Sequence, residues 1–425
     1  MRVDRVRGRD RSDRRYDRDG DAYEDRPASM EYWDREMDAV YYEDPEDRFV
    51  GEPDYLEEEP AGRTRSAGAR RGGARREEMP YLGNTDYIDF ASVICAITVV
   101  ILHTNGCFWT FSATESYWPS SNVVENLFYC AVPVFYMISA TTLVDYRERY
   151  DTGTFFKKRA VKTLIPYLFW SIMGLLLKIF FLNWVTLEEV TPAYVLTRLG
   201  EGSLIGVYWF FIPLFSIYLC IPLFAAVPEE LRKRLFTYIA VAAFIVCSLI
   251  PFVISIFNLQ ITTSLTVYVG AEYLIYVPIG YLLSHYEIKP AVRGVLYALG
   301  VAGLLMMILG TYVLSMAAGT VIDTYKGYTN VPCILFSVAV FLFYQQVGNR
   351  VMRVRWVRKV IGFLREYTFS LYLLHWFLIQ IYVARCYPDI YTVFYRLVLP
   401  FPIIAIIIVI AFIVKKIPVI KHLLP

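Results

Sequence analysis

From Tyr81 onward the chain alternates apolar runs of about 17 to 25 residues with short polar breaks. That length crosses a hydrocarbon core at a rise of 1.5 Å per helical residue. The runs fall at roughly 87–104, 123–144, 164–183, 208–227, 235–257, 266–284, 294–316, 330–347, 360–383 and 395–414. They predict an all-α, polytopic membrane helical bundle of about ten transmembrane helices occupying residues 81–425. Pro133, Pro166, Pro213, Pro222, Pro251 and Pro278 stand within or at the ends of these runs, where they are expected to kink helices and open backbone to a cavity.

Residues 1–80 are a different material. They hold 40 of the 82 charged side chains and show no helical apolar periodicity, so they are read as a disordered tail that cannot bury enough surface to offset the entropy of ordering. The charge sorts into a mixed block up to Arg18, an acidic block from Asp21 to Glu59 and a basic block from Arg63 to Arg76. No apolar stretch opens the chain, so no cleavable signal peptide is expected. The stretch Tyr41 to Phe49 is read as a solvated charge run, with docking or phosphorylation as its alternative.

The breaks between spans alternate in charge. Arg147 to Lys162, Pro228 to Arg234, His285 to Arg293, Gly348 to Lys359 and the end from Lys415 are basic, and all fall on the side of the N-terminus. The other breaks hold Trp109, Trp118, Trp184, Glu188, Glu189, Asp323 and Asp389. The positive-inside rule then makes both termini cytoplasmic, in a multi-pass protein of the cell membrane.

Composition agrees, with 56% hydrophobic residues and a mean hydropathy of +0.41. The seven cysteines stand singly, with no CxxC pair to suggest a zinc ribbon or a redox motif. No metal site is expected, and no nucleic-acid partner. No internal repeat is clear enough to argue transporter symmetry.

Ionisable residues inside spans are costly and mark functional positions. Four are singled out: His103, Lys178, Glu272 and His375. Helix rise puts His103 about 24 Å and His375 about 22 Å along helices that run the same way, so the two can share a depth. Lys178 is read as snorkelling outward or pairing with Glu272 or a substrate. For each histidine the plainer reading is interhelical hydrogen bonding; the sharper one is catalysis. Ser139 is read as a packing serine, since no elbow glycines surround it.

The stretches Tyr87 to Thr104 (YIDFASVICAITVVILHT), Cys130 to Val144, Thr154 to Trp170, Val207 to Phe224, Glu272 to Leu283 and Arg365 to Trp376 (REYTFSLYLLHW) resemble, in this order, the acyltransferase 3 family of membrane acyltransferases. The resemblance covers essentially everything after the tail. It implies transfer of an acyl group, usually acetyl from cytoplasmic acetyl-CoA, to a hydroxyl of a cell-surface polysaccharide or lipid-linked glycan of the cell envelope. It also implies an aspartate, an arginine and an essential histidine along the first helix. Asp89 and His103 match, and Ser92 stands where the arginine would be, so a cation there has to come from Arg159 or another residue. An arginine-x-x-arginine pair before the third span falls on Arg159 and Lys162, which with Lys158 are the expected binders of coenzyme A phosphates. Lysine keeps the charge and loses the planar fork. His375, Glu272 and Trp209 are the expected contacts to the acceptor.

The transfer itself needs a base for the hydroxyl proton and donors for the developing oxyanion. His103 suits the first task as a neutral imidazole, and transient acyl carriage by the same ring is the alternative. Two other readings stay open: a carrier of a lipid-linked sugar or acyl group without transferase activity, and a sensor or scaffold whose tail is the working part.

Overall fold

A computed structural model describes residues 85–261, 264–418 and 420–425. The expectations for the tail therefore lie outside the described residues. Within them the chain is helical and contains no strand. Among the described residues nine helical segments are long and apolar enough to cross a membrane: Asp86–Thr104, Tyr117–Glu148, Thr152–Phe180, Gly206–Ala225, Glu229–Ile256, Pro290–Ala318, Val331–Val351, Thr368–Cys386 and Phe394–Val414. The chain is a multi-pass membrane protein.

The expected run at 266–284 takes another form. Glu272 has a positive φ of 50°, a conformation that a non-glycine residue adopts only at a cost. The segment resolves into 3-10 turns at Tyr268–Gly270 and Glu272–Ile275, followed by a ten-residue helix, Tyr276–His285. The expected run at 360–383 is also divided. A short helix, Arg355–Arg365, ends at Glu366, and the long helix begins at Thr368.

Prolines shape the spans by widening the turn before them. The π turns Ala160–Leu164, Phe244–Leu249 and Phe394–Val398 each end two residues before a proline: Pro166, Pro251 and Pro400. A proline lacks an N–H and its ring presses on the carbonyl four residues back. That carbonyl lies inside the widened turn in all three cases.

The first span, α1 (Asp86–Thr104), is the axis of the bundle. Of its most apolar stretch 67% is enclosed, against 17% for Pro290–Ala318. Around α1 pack α2 (Ala131–Leu143), α3 (Val331–Val351), α4 (Thr368–Cys386) and α5 (Pro400–Val414). Helix Tyr276–His285 lies so close to α2 that a Cβ on Gly280 would meet the Met137 carbonyl at 2.6 Å. Helix Pro290–Leu305 meets α3 in the same way, through Gly300 and Gly303. Small residues at helix crossings are the usual means of close packing in lipid, where there is no hydrophobic drive between helices.

Candidate functional site

Contacts near both ends of α1 reach α4 and the short helix before it, and the two contacts differ in chemistry. Near the start of α1, Asp89 is 1% exposed and Arg365 Nε lies 3.0 Å from its Oδ1. One turn earlier, Arg358 donates to Asp86 at 2.5 Å. The cation beside Asp89 is thus Arg365, the last residue of the helix Arg355–Arg365 that precedes α4. A buried carboxylate needs such a partner.

At the other end of α1 the rings of His103 and His375 lie 4.8 Å apart between centroids, tilted by 30°. His375 is fully buried and its Nδ1 donates to the Leu371 carbonyl at 3.0 Å. That bond leaves Nε2 as the unprotonated nitrogen, and Nε2 is buried with no hydrogen-bond partner. His103 is only partly enclosed. Two tyrosines brace this part of α4. Tyr208 donates to the Leu373 carbonyl at 2.7 Å, and Tyr372 donates to the Val207 carbonyl at 2.5 Å.

The contact joins the two histidines although they stand at different heights in their own helices. His103 is the eighteenth of 19 residues in α1, while His375 is the eighth of 19 in α4. The shared depth comes from the stagger of α4, which starts at Thr368 and not at Val360.

Glu272 lines an open cleft with Cys247, Ser248, Leu265, Thr266 and Thr329. Beside it Tyr273 lies 6.0 Å from the Trp209 ring, which in turn lies 5.2 Å from Tyr328. Trp209 and Glu272 therefore share a neighbourhood, whereas His375 belongs with His103. Lys178 Nζ lies 5.6 Å from the centre of the Trp376 ring, and among the described residues no ion pair joins it to Glu272. Ser139 donates to the Phe135 carbonyl at 3.0 Å within its own helix.

The basic segment that precedes the third span is a capped helix, Thr152–Arg159. The Asp151 carboxylate accepts from Gly153 N at 2.7 Å and Thr154 N at 3.0 Å. Those bonds, with one from Thr154 Oγ1 that is the largest cause, hold its carboxyl below the ordinary range. Lys158 is 7% exposed, with Nζ 4.5 Å from the Tyr150 ring centre. Arg159 lies 5.8 Å from the rings of both Phe155 and Tyr218. Lys162 is inside the π turn that Pro166 imposes. The neighbouring Arg147 and Arg149 donate to the Pro222 and Thr142 carbonyls at 3.2 and 2.8 Å, so they also close helix ends.

Two buried charge clusters went unmarked in the sequence. Asp145 joins Arg232 and His285, with His285 Nε2 2.9 Å from Asp145 Oδ2 and Arg232 donating to the other oxygen and to Tyr281. Lys326 Nζ is 3.1 Å from Glu125 and lies over the Tyr129, Trp109 and Phe108 rings at 3.8, 4.5 and 5.0 Å. Glu125 and Arg365 stand inside apolar runs of the sequence, and that position alone is a usable signal.

The chain matches no curated protein and no solved structure. A match to the acyltransferase 3 family, described as an acyltransferase domain, spans residues 85–415. It begins where the described structure begins and takes in α1 to α5 with the Asp89–Arg365 and His103–His375 contacts. The chain belongs to the acyltransferase 3 family and is an acyltransferase of the membrane.

Proposed function

We propose that this acyltransferase moves acetyl from acetyl-CoA to a hydroxyl of a cell-surface or lipid-linked glycan, as a membrane-bound O-acyltransferase of the cell envelope. In this reading both termini are cytoplasmic and the enzyme sits in the cell membrane. The observation that carries the proposal is the placement of a partly enclosed imidazole, His103, at the far end of α1 from Asp89. Fourteen residues separate the two, about 21 Å at helical rise.

The donor end is the basic segment. Lys158, Arg159 and Lys162 bind the phosphates of the acyl-CoA, with Arg159 the one residue able to form a planar fork. The pantetheine arm, or the acyl group it carries, threads outward between the helices to reach His103. Asp89 and its partner Arg365 hold the inner end of α1 in register with α4.

At the outer end His103 removes the proton of the acceptor hydroxyl as the oxygen attacks the thioester carbonyl. Trp209 offers a ring face to the sugar and Glu272 a carboxylate that accepts from its hydroxyls. The strained backbone of Glu272 beside an open cleft supports that assignment.

The test is release of coenzyme A by purified, reconstituted protein given acetyl-CoA and a crude lipid-linked glycan extract, with His103→Ala as comparison. Release that disappears in the folded variant is expected. Equal release by both proteins overturns the role of His103. No release by the intact chain, even with total envelope material as acceptor, overturns the transferase reading in favour of a carrier. The compartment of the donor is tested in sealed right-side-out vesicles. Activity with acetyl-CoA supplied only outside them would defeat the cytoplasmic donor site.

A further inference from the structure

A buried polar atom without a partner forfeits its hydration with nothing in return, and native folds retain few of them. His375 Nε2 is such an atom, in a ring with no exposed surface. Its tautomer is set from behind, because the Nδ1 hydrogen is committed to the Leu371 carbonyl. Nε2 can therefore only accept. Packing does not need it there, since a phenyl ring fills similar space without the penalty.

Two polar rings lie beside it: that of Tyr372, 5.9 Å away with its hydroxyl committed to the Val207 carbonyl, and the nearer one of His103. An N–H···N bond between two imidazoles, with about 3 Å between nitrogens, sets the ring centres about 5 Å apart. The observed separation is 4.8 Å. The bond is not made in this structure, and rotation of the His103 ring about χ2, a broad and soft torsion in histidine, is the adjustment that makes it while His375 keeps its bond to Leu371. Exposure orders the pair: His103 is partly open and His375 is sealed behind it.

We propose that His375 is the positioning residue of His103, fixing by hydrogen bonding which of its nitrogens carries the hydrogen and which faces the acceptor hydroxyl. This rests on the acyltransfer proposed above and gives His375 a place behind the base, not against the sugar. The nitrogen of His103 that faces His375 holds its hydrogen throughout, and the other nitrogen takes the hydroxyl proton as the oxygen–carbonyl carbon bond forms. His103 is then an imidazolium whose bond to His375 Nε2 is charge-assisted. Collapse of the tetrahedral intermediate breaks the carbon–sulfur bond, and the proton leaves with the thiol of coenzyme A. A neutral imidazole whose far nitrogen is pinned to a carbonyl does here what an acidic side chain does for other catalytic histidines.

The experiment compares His375→Phe and His375→Gln with the intact protein. Only four histidines are present in the chain, so side-chain 15N resonances of histidine-labelled, reconstituted protein can be assigned by single substitutions. His103 is expected in one neutral tautomer in the intact protein, in a mixture in His375→Phe, and again in one in His375→Gln, whose amide oxygen can accept. In parallel, kcat for acyl transfer is expected to fall about 100-fold in His375→Phe with the acceptor KM within twofold, and to recover at least tenfold in His375→Gln.

An unchanged tautomer of His103 in the Phe variant overturns the proposal, as does a raised acceptor KM at intact kcat, which would place His375 on the sugar. Equal loss of kcat in both variants reduces His375 to shape. Should the Phe variant fail to fold, His375→Leu takes its place with the same readings. The resonances report on His375 with no acyl donor or acceptor present, so they can uphold or sink this proposal whatever the coenzyme A assay decides about His103.

Discussion

Two buried histidine sites, at His285 and at His375, differ in how far they are satisfied. His285, on the face of the basic loops, has both ring nitrogens engaged: Nε2 with Asp145, and Nδ1 with Ser284 Oγ at 3.0 Å and the Tyr281 carbonyl at 3.1 Å. Its ring also stacks on Tyr281, 3.8 Å between centroids. His375, paired with His103 at the far end of α1, keeps an idle nitrogen in a sealed space. A completed network fixes elements in place; here it joins the end of α2, the helix Glu229–Ala243 and the helix Tyr276–His285. An incomplete one stores a demand that a substrate or a neighbouring side chain can meet. The same residue type thus marks a structural joint at one end and a chemical site at the other.

The comparison predicts opposite signatures for substitutions at the two ends. The largest expected effect is on activity. His103→Ala should lower kcat for acyl transfer by about 10²- to 10⁴-fold, the range of a lost general base. Its unfolding temperature should stay near that of the intact chain, as scanning calorimetry can check. A comparable loss of stability would make His103 a joint like His285 and erase the contrast.

At the satisfied end the order reverses. Asp145→Ala leaves Arg232 buried without its anion and frees His285 Nε2, so a stability loss of about 3 to 5 kcal/mol is expected, read by denaturant unfolding in detergent. Protein that remains folded should keep its turnover number. A selective loss of turnover in fully folded protein would move chemistry to this end as well.

The Lys326–Glu125 pair sharpens the point, because it is a buried ion pair near the outer end of α1. Lys326→Met should destabilise by about 3 kcal/mol through the unpaired Glu125, and adding Glu125→Leu should restore most of it, since a buried pair replaced as a whole is often neutral. The double variant is expected to retain transfer activity. If it is stable and inactive, the aromatic box around Lys326 belongs to the active site.

The long apolar runs make the helical bundle legible in the sequence, as they suit one solvent and one length. The run at 266–284 did not read true. Hydropathy has no means of registering the positive φ of Glu272, which breaks it into turns and a short helix. The convergence of His103 and His375 was half visible: rise per residue suggests a shared depth, but helix rotation and the late start of α4 are set by packing. Arg365 could not be paired with Asp89 from sequence, since the two meet only through the fold. Arg232 and His285 were hidden for another reason. In a basic loop every cation is explained by topology alone, so a buried one looks like the rest.

The smallest expected effect concerns the basic segment, which the two histidine sites leave out. Asp151 caps the helix Thr152–Arg159 that presents Lys158 and Arg159. Asp151→Ala removes the acceptor for two backbone N–H groups, at a local cost of about 1 kcal/mol. Fraying there should loosen the hold on acyl-CoA without touching the histidines, so the KM for acetyl-CoA is expected to rise a few-fold at constant kcat. Asp151→Asn keeps an accepting oxygen and should behave as the intact chain does. A fall in kcat in the alanine variant would mean that the cap reaches the chemistry through the bundle, and that the donor segment and the histidine pair are not the separate ends the comparison makes them.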